Sequence, residues 1–215
     1  MTTVKTITEQ IYDNIYGLIL DGTYPPGTRL TTKILQKDLG VSSSPIREAL
    51  TRLQQDGLVD YQPNSGMSVR CYSEQDVRNL FRLMSDMDAL ALKYALESEV
   101  FDSFLDRLKK NTCATGALLF DSDLEEWHTL SDKFHLIITD AASNPFLKES
   151  LYRIYRHITI FAKMYISLTD SRTRIQADHE AIVELITDGK YENAVEEYRK
   201  HVLRSMEDAV SCLDN

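Results

Sequence analysis

Residues Thr31 to Arg70 read TTKILQKDLGVSSSPIREALTRLQQDGLVDYQPNSGMSVR. A short helix carries Ile34, Leu35 and Leu39, with Thr31 or Thr32 as its N-cap and Gly40 as its stop. Val41 is placed to pack between that helix and the next. Ser42-Ser43-Ser44-Pro45 opens the second helix, because proline lacks only an N–H that a first turn leaves unpaired anyway. Ile46, Ala49, Leu50 and Leu53 form its inner face and Gly57 ends it. Leu58-Val59-Asp60-Tyr61 and Met67-Ser68-Val69-Arg70 alternate as two strands joined by Gln62-Pro63-Asn64-Ser65-Gly66. Helix, tight turn, helix and hairpin is the order of a winged helix-turn-helix, which lays its second helix in the DNA major groove. Duplex DNA is the partner this order implies.

Upstream, Thr8 precedes Ile11, Ile15, Leu18 and Ile19 at helical spacing, and Asp21-Gly22 with Tyr24-Pro25-Pro26-Gly27 stops that helix. The outer first turn of the second motif helix presents Ser43, Ser44 and Arg47 to base edges and phosphates, with Arg52 further along. Arg47 is the strongest candidate, since its planar fork suits guanine or phosphate. The competing reading pairs Arg47 with Glu48 or Asp38. At the wing, Asn64, Gly66 and Arg70 are placed to meet the sugar–phosphate chain.

The chain has 215 residues, 43% hydrophobic and 27% charged, which suits one large domain or two modest ones. No apolar run approaches the ~20 residues of a membrane span, and MTTVKTITEQ has no signal-peptide core. Cys71, Cys113 and Cys212 are widely spaced without a CxxC pair, so neither a disulfide framework nor a thiolate metal site is expected, and the cytoplasm is the expected location. The net charge of −9 is unevenly divided: residues 1–73 hold seven Lys/Arg and seven Asp/Glu, residues 74–215 hold 17 against 26. A neutral front with basic groups on one face is compatible with phosphates, whereas a uniformly acidic rear is not.

From Glu74 onward no strand pattern of any length occurs. Six helical stretches are expected, near 74–97, 99–113, 122–142, 144–168, 171–187 and 190–211, with a break at Thr115-Gly116 among others. The fold class is therefore mainly α: a winged helix-turn-helix over 1–70, a linker over 71–76, and an antiparallel bundle of about six helices over 77–215. His135, His179 and His201 fall on three different helices. Three converging imidazoles make a facial transition-metal site with open positions, although each taken singly reads as a hydrogen-bonded or exposed histidine, as His128 and His157 do.

The front segments IYDNIYGLILDGTYPPGTRL, LGVSSSPIREALTRLQQDGLV and GMSV resemble the GntR family of bacterial transcription regulators, in the strings PG..L and VS..P.REAL..L...GLV. The family usually has Arg where this chain has Ser43, which shifts weight onto Arg47. The rear resembles the all-helical FCD effector domain of the FadR subfamily, and its six helices suggest the shorter, VanR-like branch. That resemblance implies a metal on His135, His179 and His201, the last two separated by the family's 22-residue interval. The family's Asp, four residues before the first His, is Ser131 here, and Asp132 lies about 100° around the helix from that position. The Arg that clamps an effector carboxylate in many members is Met84 here, while Asp88 matches the usual acid on that helix. Arg153 or Arg156 is the candidate replacement, so Asp88, Ser131, Arg153 and Arg156 form the expected effector site.

The resemblance implies a homodimeric regulator, a repressor by family habit and not an enzyme, reading an inverted repeat in double-stranded DNA. A small metabolite, an organic acid or related compound, would bind near a divalent metal, zinc or nickel, and Cys71-Tyr72-Ser73 would be the hinge. Two other readings stay open: a metal-dependent hydrolase with a DNA-binding appendage, and a dimerisation bundle without a ligand.

Overall fold

A computed structural model describes residues 5–63, 65–120 and 123–213. The chain divides into two compact units, Met1–Ser73 and Glu74–Asn215.

The first unit contains α1 (Ile7–Leu20), β1 (Arg29–Leu30), α2 (Thr32–Leu39), α3 (Ser43–Gln55), β2 (Val59–Gln62) and β3 (Gly66–Val69). Its α1 begins two residues earlier than Thr8 suggests. Thr6 caps it, with its side chain accepting from the Glu9 N–H while the Glu9 carboxylate accepts from the Thr6 N–H. Thr8 instead sits inside the helix and sends its hydroxyl to Glu48 at 3.1 Å. Of the two possible caps of α2, Thr31 is the one used, accepting from the Ile34 N–H. Gly40 closes that helix at φ 67°, a left-handed conformation that glycine adopts without a Cβ penalty. Only Leu35 of α2 is buried, and Ile34 is 43% exposed. An eight-residue helix is too short to turn a second apolar column against its neighbour. Val41 is half-buried at the inter-helix turn.

The expected two-stranded hairpin is a three-stranded antiparallel sheet in the order β1-β3-β2. Its added strand pairs Arg29 with Ser68 and Leu30 with Met67. Two residues are too few for an alternating pattern to show, so only the ladder reveals this strand. Ile15, Leu35, Ile46, Ala49 and Leu53 are fully enclosed and hold α1, α2 and α3 together.

The second unit is a bundle of α4 (Glu74–Leu96), α5 (Phe101–Ala117), α6 (Leu124–Ala141), α7 (Pro145–Tyr165), α8 (Thr169–Thr187) and α9 (Tyr191–Ser211). Helix α4 packs against α6, α7 and α9. It already starts at Glu74, inside the expected linker of 71–76, and residues 71–73 close the first unit. Glu74 and Asp76 in its first turn favour that start by meeting the positive end of the helix dipole. Helix α5 runs through the expected break at Thr115-Gly116. The Thr112 and Thr115 hydroxyls bond back to carbonyls of their own helix, and a Cβ at Gly116 would stand 2.8 Å from Gln176 Nε2. Gly116 therefore serves the close approach of α8 rather than a helix stop. Helix α8 takes in Thr169-Asp170, which was expected to be a break. No helix among the described residues is long and apolar enough to cross a membrane.

Leu53→Ala should destabilise the first unit by about 2–5 kcal/mol, because its site is fully enclosed and collapses only partly around the cavity. Urea denaturation followed by circular dichroism measures the shift.

Candidate functional site

On the first unit, α3 presents a half-buried Ser43 and an exposed Ser44 and Arg47. The carboxylates that competed for Arg47 are engaged elsewhere. Glu48 accepts from Arg52 at 2.9 Å and from Thr8, while Asp38 accepts from the Tyr24 hydroxyl at 2.6 Å. Burial and that carboxylate push the Tyr24 hydroxyl up to about 12, so it remains a donor. Among the described residues, no carboxylate pairs with Arg47. Arg52 and Arg70 are less available. Arg52 forms its ion pair with Glu48, and Arg70 reaches the Gly57 carbonyl at 3.4 Å, lies 3.9 Å from Asp60 and stacks over Tyr72. Gly66 begins β3 at φ 81°, a conformation that favours glycine at the wing. Asn64 lies outside the described residues.

In the second unit, α6, α8 and α9 bring His135, His179 and His201 together, with one ring nitrogen of each within 4.8 Å of the others. His179 Nε2 and His201 Nε2 are 3.3 Å apart. Two nitrogens each about 2.0–2.1 Å from one tetrahedral zinc stand about 3.3–3.4 Å apart, so this spacing fits a shared ion. It also fits a direct N–H···N hydrogen bond. The His179 ring stacks flat on Phe134, with centroids 3.8 Å apart.

Two carboxylates orient the outer rings. Asp178 Oδ2 stands 3.1 Å from His201 Nδ1, and Asp88 Oδ2 stands 3.3 Å from His135 Nδ1. A carboxylate only accepts, which favours the proton on Nδ1 and leaves the Nε2 lone pair free. Asp178 also accepts from Arg204 at 2.7 Å and lies 3.5 Å from Arg174, which itself pairs with Asp208. Asp88 is fully buried and accepts the Tyr155 hydroxyl at 2.5 Å, while the Tyr198 hydroxyl lies 2.8 Å from His135 Nδ1. Burial first, and then the Asp88 charge, hold both tyrosines well above their ordinary value, so they stay protonated donors. Burial and the neighbouring imidazoles push His179 well below 6.5. Burial, His135 and then the two arginines do the same for His201. Both rings are therefore neutral, the form that binds a metal. Among the described residues, His179 Nδ1 is buried without a hydrogen-bond partner.

The other expected residues divide. Ser131 is buried one turn before His135 on α6, and Asp132 turns to His128 at 3.5 Å rather than to the three histidines. Met84 is buried on α4. Arg153 does not join the cluster: it is exposed on α7 and pairs with Glu149 at 3.0 Å. Arg156 is half-buried on the same helix. The sequence reading missed Tyr198 and Asp178. Tyr198 stands one turn before His201, a spacing that could have flagged it. Asp178 adjoins His179 in sequence yet serves His201 on another helix, which no sequence spacing shows.

A winged helix-turn-helix joined to an all-helical unit is the layout of a DNA-binding transcription regulator. The family described as bacterial regulatory proteins, gntR family, matches residues 7–69, and the FCD domain matches residues 79–204. The chain belongs to the gntR family of bacterial regulators that carry an FCD domain. It is 29% identical over 196 residues to the HTH-type transcriptional regulator YdhC of Bacillus subtilis, covering 90% of this chain and 85% of that protein. It is 27% identical over 138 residues to the HTH-type transcriptional repressor RspR of Escherichia coli, covering 64% of this chain and 60% of that protein. The fold matches Escherichia coli McbR/YncC with a TM-score of 0.75 at 20% identity, covering 98% of each chain. It also matches a GntR regulator from Rhodococcus sp. RHA1 with a TM-score of 0.77 at 18% identity, over 95% of this chain and 97% of that one. These relatives and both domain families are transcriptional regulators, not enzymes, which sets the hydrolase alternative aside.

The depressed histidines give a signed pH dependence for metal-stripped protein. Unfolding returns His179 and His201 to about 6.5, so below that pH the unfolded chain binds more protons than the folded one. Their contribution to stability is full above pH 6.5 and is lost as the pH falls toward the folded values. The melting temperature should drop between pH 7.5 and 5.5, and His179→Gln should lessen the drop, both measured by differential scanning calorimetry.

Proposed function

We propose that this chain is a ligand-responsive regulator, acting in the cytoplasm as a homodimer on an inverted repeat, with a divalent transition metal on His135, His179 and His201. The convergence of three ring nitrogens from three helices carries the metal reading. Two of the rings are held neutral by burial, and carboxylates on Nδ1 of His135 and His201 favour a free Nε2 lone pair. Zinc and nickel both suit imidazole ligands, and with only three protein nitrogens the ion keeps an open position. When bound, it supplies a Lewis-acidic point for an oxygen of a small metabolite, an organic acid or related compound. Asp88, Tyr155 and Tyr198 stand beside His135 and supply the polar groups that would orient that metabolite.

Homodimerisation is supported by an exposed apolar stripe on α4, where Leu83, Leu90 and Tyr94 recur at helical spacing. Two copies would place their α3 helices on successive major-groove faces about 34–36 Å apart. Residues 71–73, at the end of the first unit, would carry the effector's signal to the DNA-binding part. Repression is supported by likeness to a relative named as a repressor. The contrary reading, a dimerisation bundle without metal or ligand, draws on Ser131 standing where an Asp ligand was expected and on the 3.3 Å contact also fitting a hydrogen bond.

Isothermal titration of chelator-stripped protein with zinc or nickel separates the two readings. The metal reading expects about one ion per chain, lost in His179→Ala. A wild-type protein that takes up neither ion sinks that reading and leaves the dimerisation bundle. Asp178→Asn should weaken metal affinity about 10–100-fold without abolishing it, because it removes the orienting carboxylate and keeps every ligand nitrogen.

A further inference from the structure

The first unit holds a cleft of about 430 Å³ between α3 and the start of β3, with β1 along its edge. Leu30, Leu50 and Met67 contribute apolar lining, and Arg29, Arg47 and Ser65 line the same cleft. Arg29 lies on the exposed side of β1, beside the fully buried Leu30. Its backbone is fixed opposite Ser68 in the ladder, so the side chain leaves from a rigid strand.

Charge makes the cleft selective. The first unit is neutral in total, with seven basic and seven acidic side chains, so any attraction for phosphate has to come from placement. The acids nearest α3 are consumed internally: Glu48 by Arg52 and Thr8, Asp38 by Tyr24, and Asp56 by the Tyr12 hydroxyl at 2.7 Å. Among the described residues, neither Arg29 nor Arg47 is paired with a carboxylate. Two unneutralised guanidinium groups thus border one cleft that also offers hydroxyls and an apolar lining.

We propose that this cleft receives the sugar–phosphate backbone of one DNA strand, with Arg29 as a phosphate-binding residue on the same cleft as Arg47. The inference rests on α3 reading the major groove, as the regulator function requires. With α3 in that groove and the wing beside it, the intervening strand of DNA passes between them, which is where the cleft lies. Guanidinium groups bind phosphate oxygens through paired N–H donors, and the apolar lining accepts deoxyribose without leaving a buried polar group unmet. Arg29 adds affinity that does not depend on sequence and leaves base reading to α3.

The experiment titrates full-length protein with a labelled duplex of random sequence at several salt concentrations, reading fluorescence anisotropy. Arg29→Ala should make the slope of log K against log salt shallower by about 0.9 for each chain bound, the signature of one lost phosphate contact. Arg29→Lys should keep most of the wild-type slope, since the charge remains. Arg29→Gln, with similar length and no charge, should behave like the alanine variant, and unchanged thermal melting of either confirms an intact fold. A wild-type slope retained in Arg29→Ala and Arg29→Gln overturns the proposal while leaving the regulator reading standing. A wild-type protein that binds no duplex overturns that reading and this inference together.

Discussion

A carboxylate taken out of water has to be met by donors, and in the helical unit this requirement organises the polar core. Asp88 gathers Tyr155, Tyr198 and His135 around itself, and Asp178 gathers Arg204, Arg174 and His201. Each acid thereby orients one imidazole, and one ring nitrogen of each of these two histidines converges with one of His179. His179 has no such partner; it is held by stacking on Phe134 and by burial. The site is a product of charge satisfaction on five helices, α4, α6, α7, α8 and α9, rather than of three histidines alone.

The two units handle charge in opposite ways. The first is neutral and uses its acids to lock its own helices, through Tyr12–Asp56, Tyr24–Asp38 and Arg52–Glu48. That use of acids leaves Arg29 and Arg47 unneutralised at the cleft. The second unit carries the whole acidic excess, and its acids serve helix starts and the interior polar cluster. The unpaired guanidinium groups and the histidine cluster thus lie in separate parts of the chain.

Legibility followed the length of the repeating pattern. Helices α4 to α9 were readable to within a few residues because each carries several turns of apolar periodicity. The two-residue β1 was not, since pairing with β3 is its only distinguishing property. Gly116 was misread as a stop because a glycine that permits close packing looks the same in sequence as one that ends a helix. Of Ile34, Leu35 and Leu39, the eight-residue α2 buries only Leu35.

At the site, the three histidines were nameable from their spacing and from a family resemblance, but their environment was not. Asp178 stands next to His179 in the chain and acts on His201, and Asp88 reaches His135 across 47 positions. Arg153, a candidate charge for the site, pairs with Glu149 at the surface. The sequence by itself determined what local periodicity, capping and turn residues encode: the helix-turn-helix, the wing, the six-helix count and the division of charge. Only the tertiary structure decided which acid meets which base, because burial and through-space pairing depend on helix packing, which neighbouring residues in the chain do not specify.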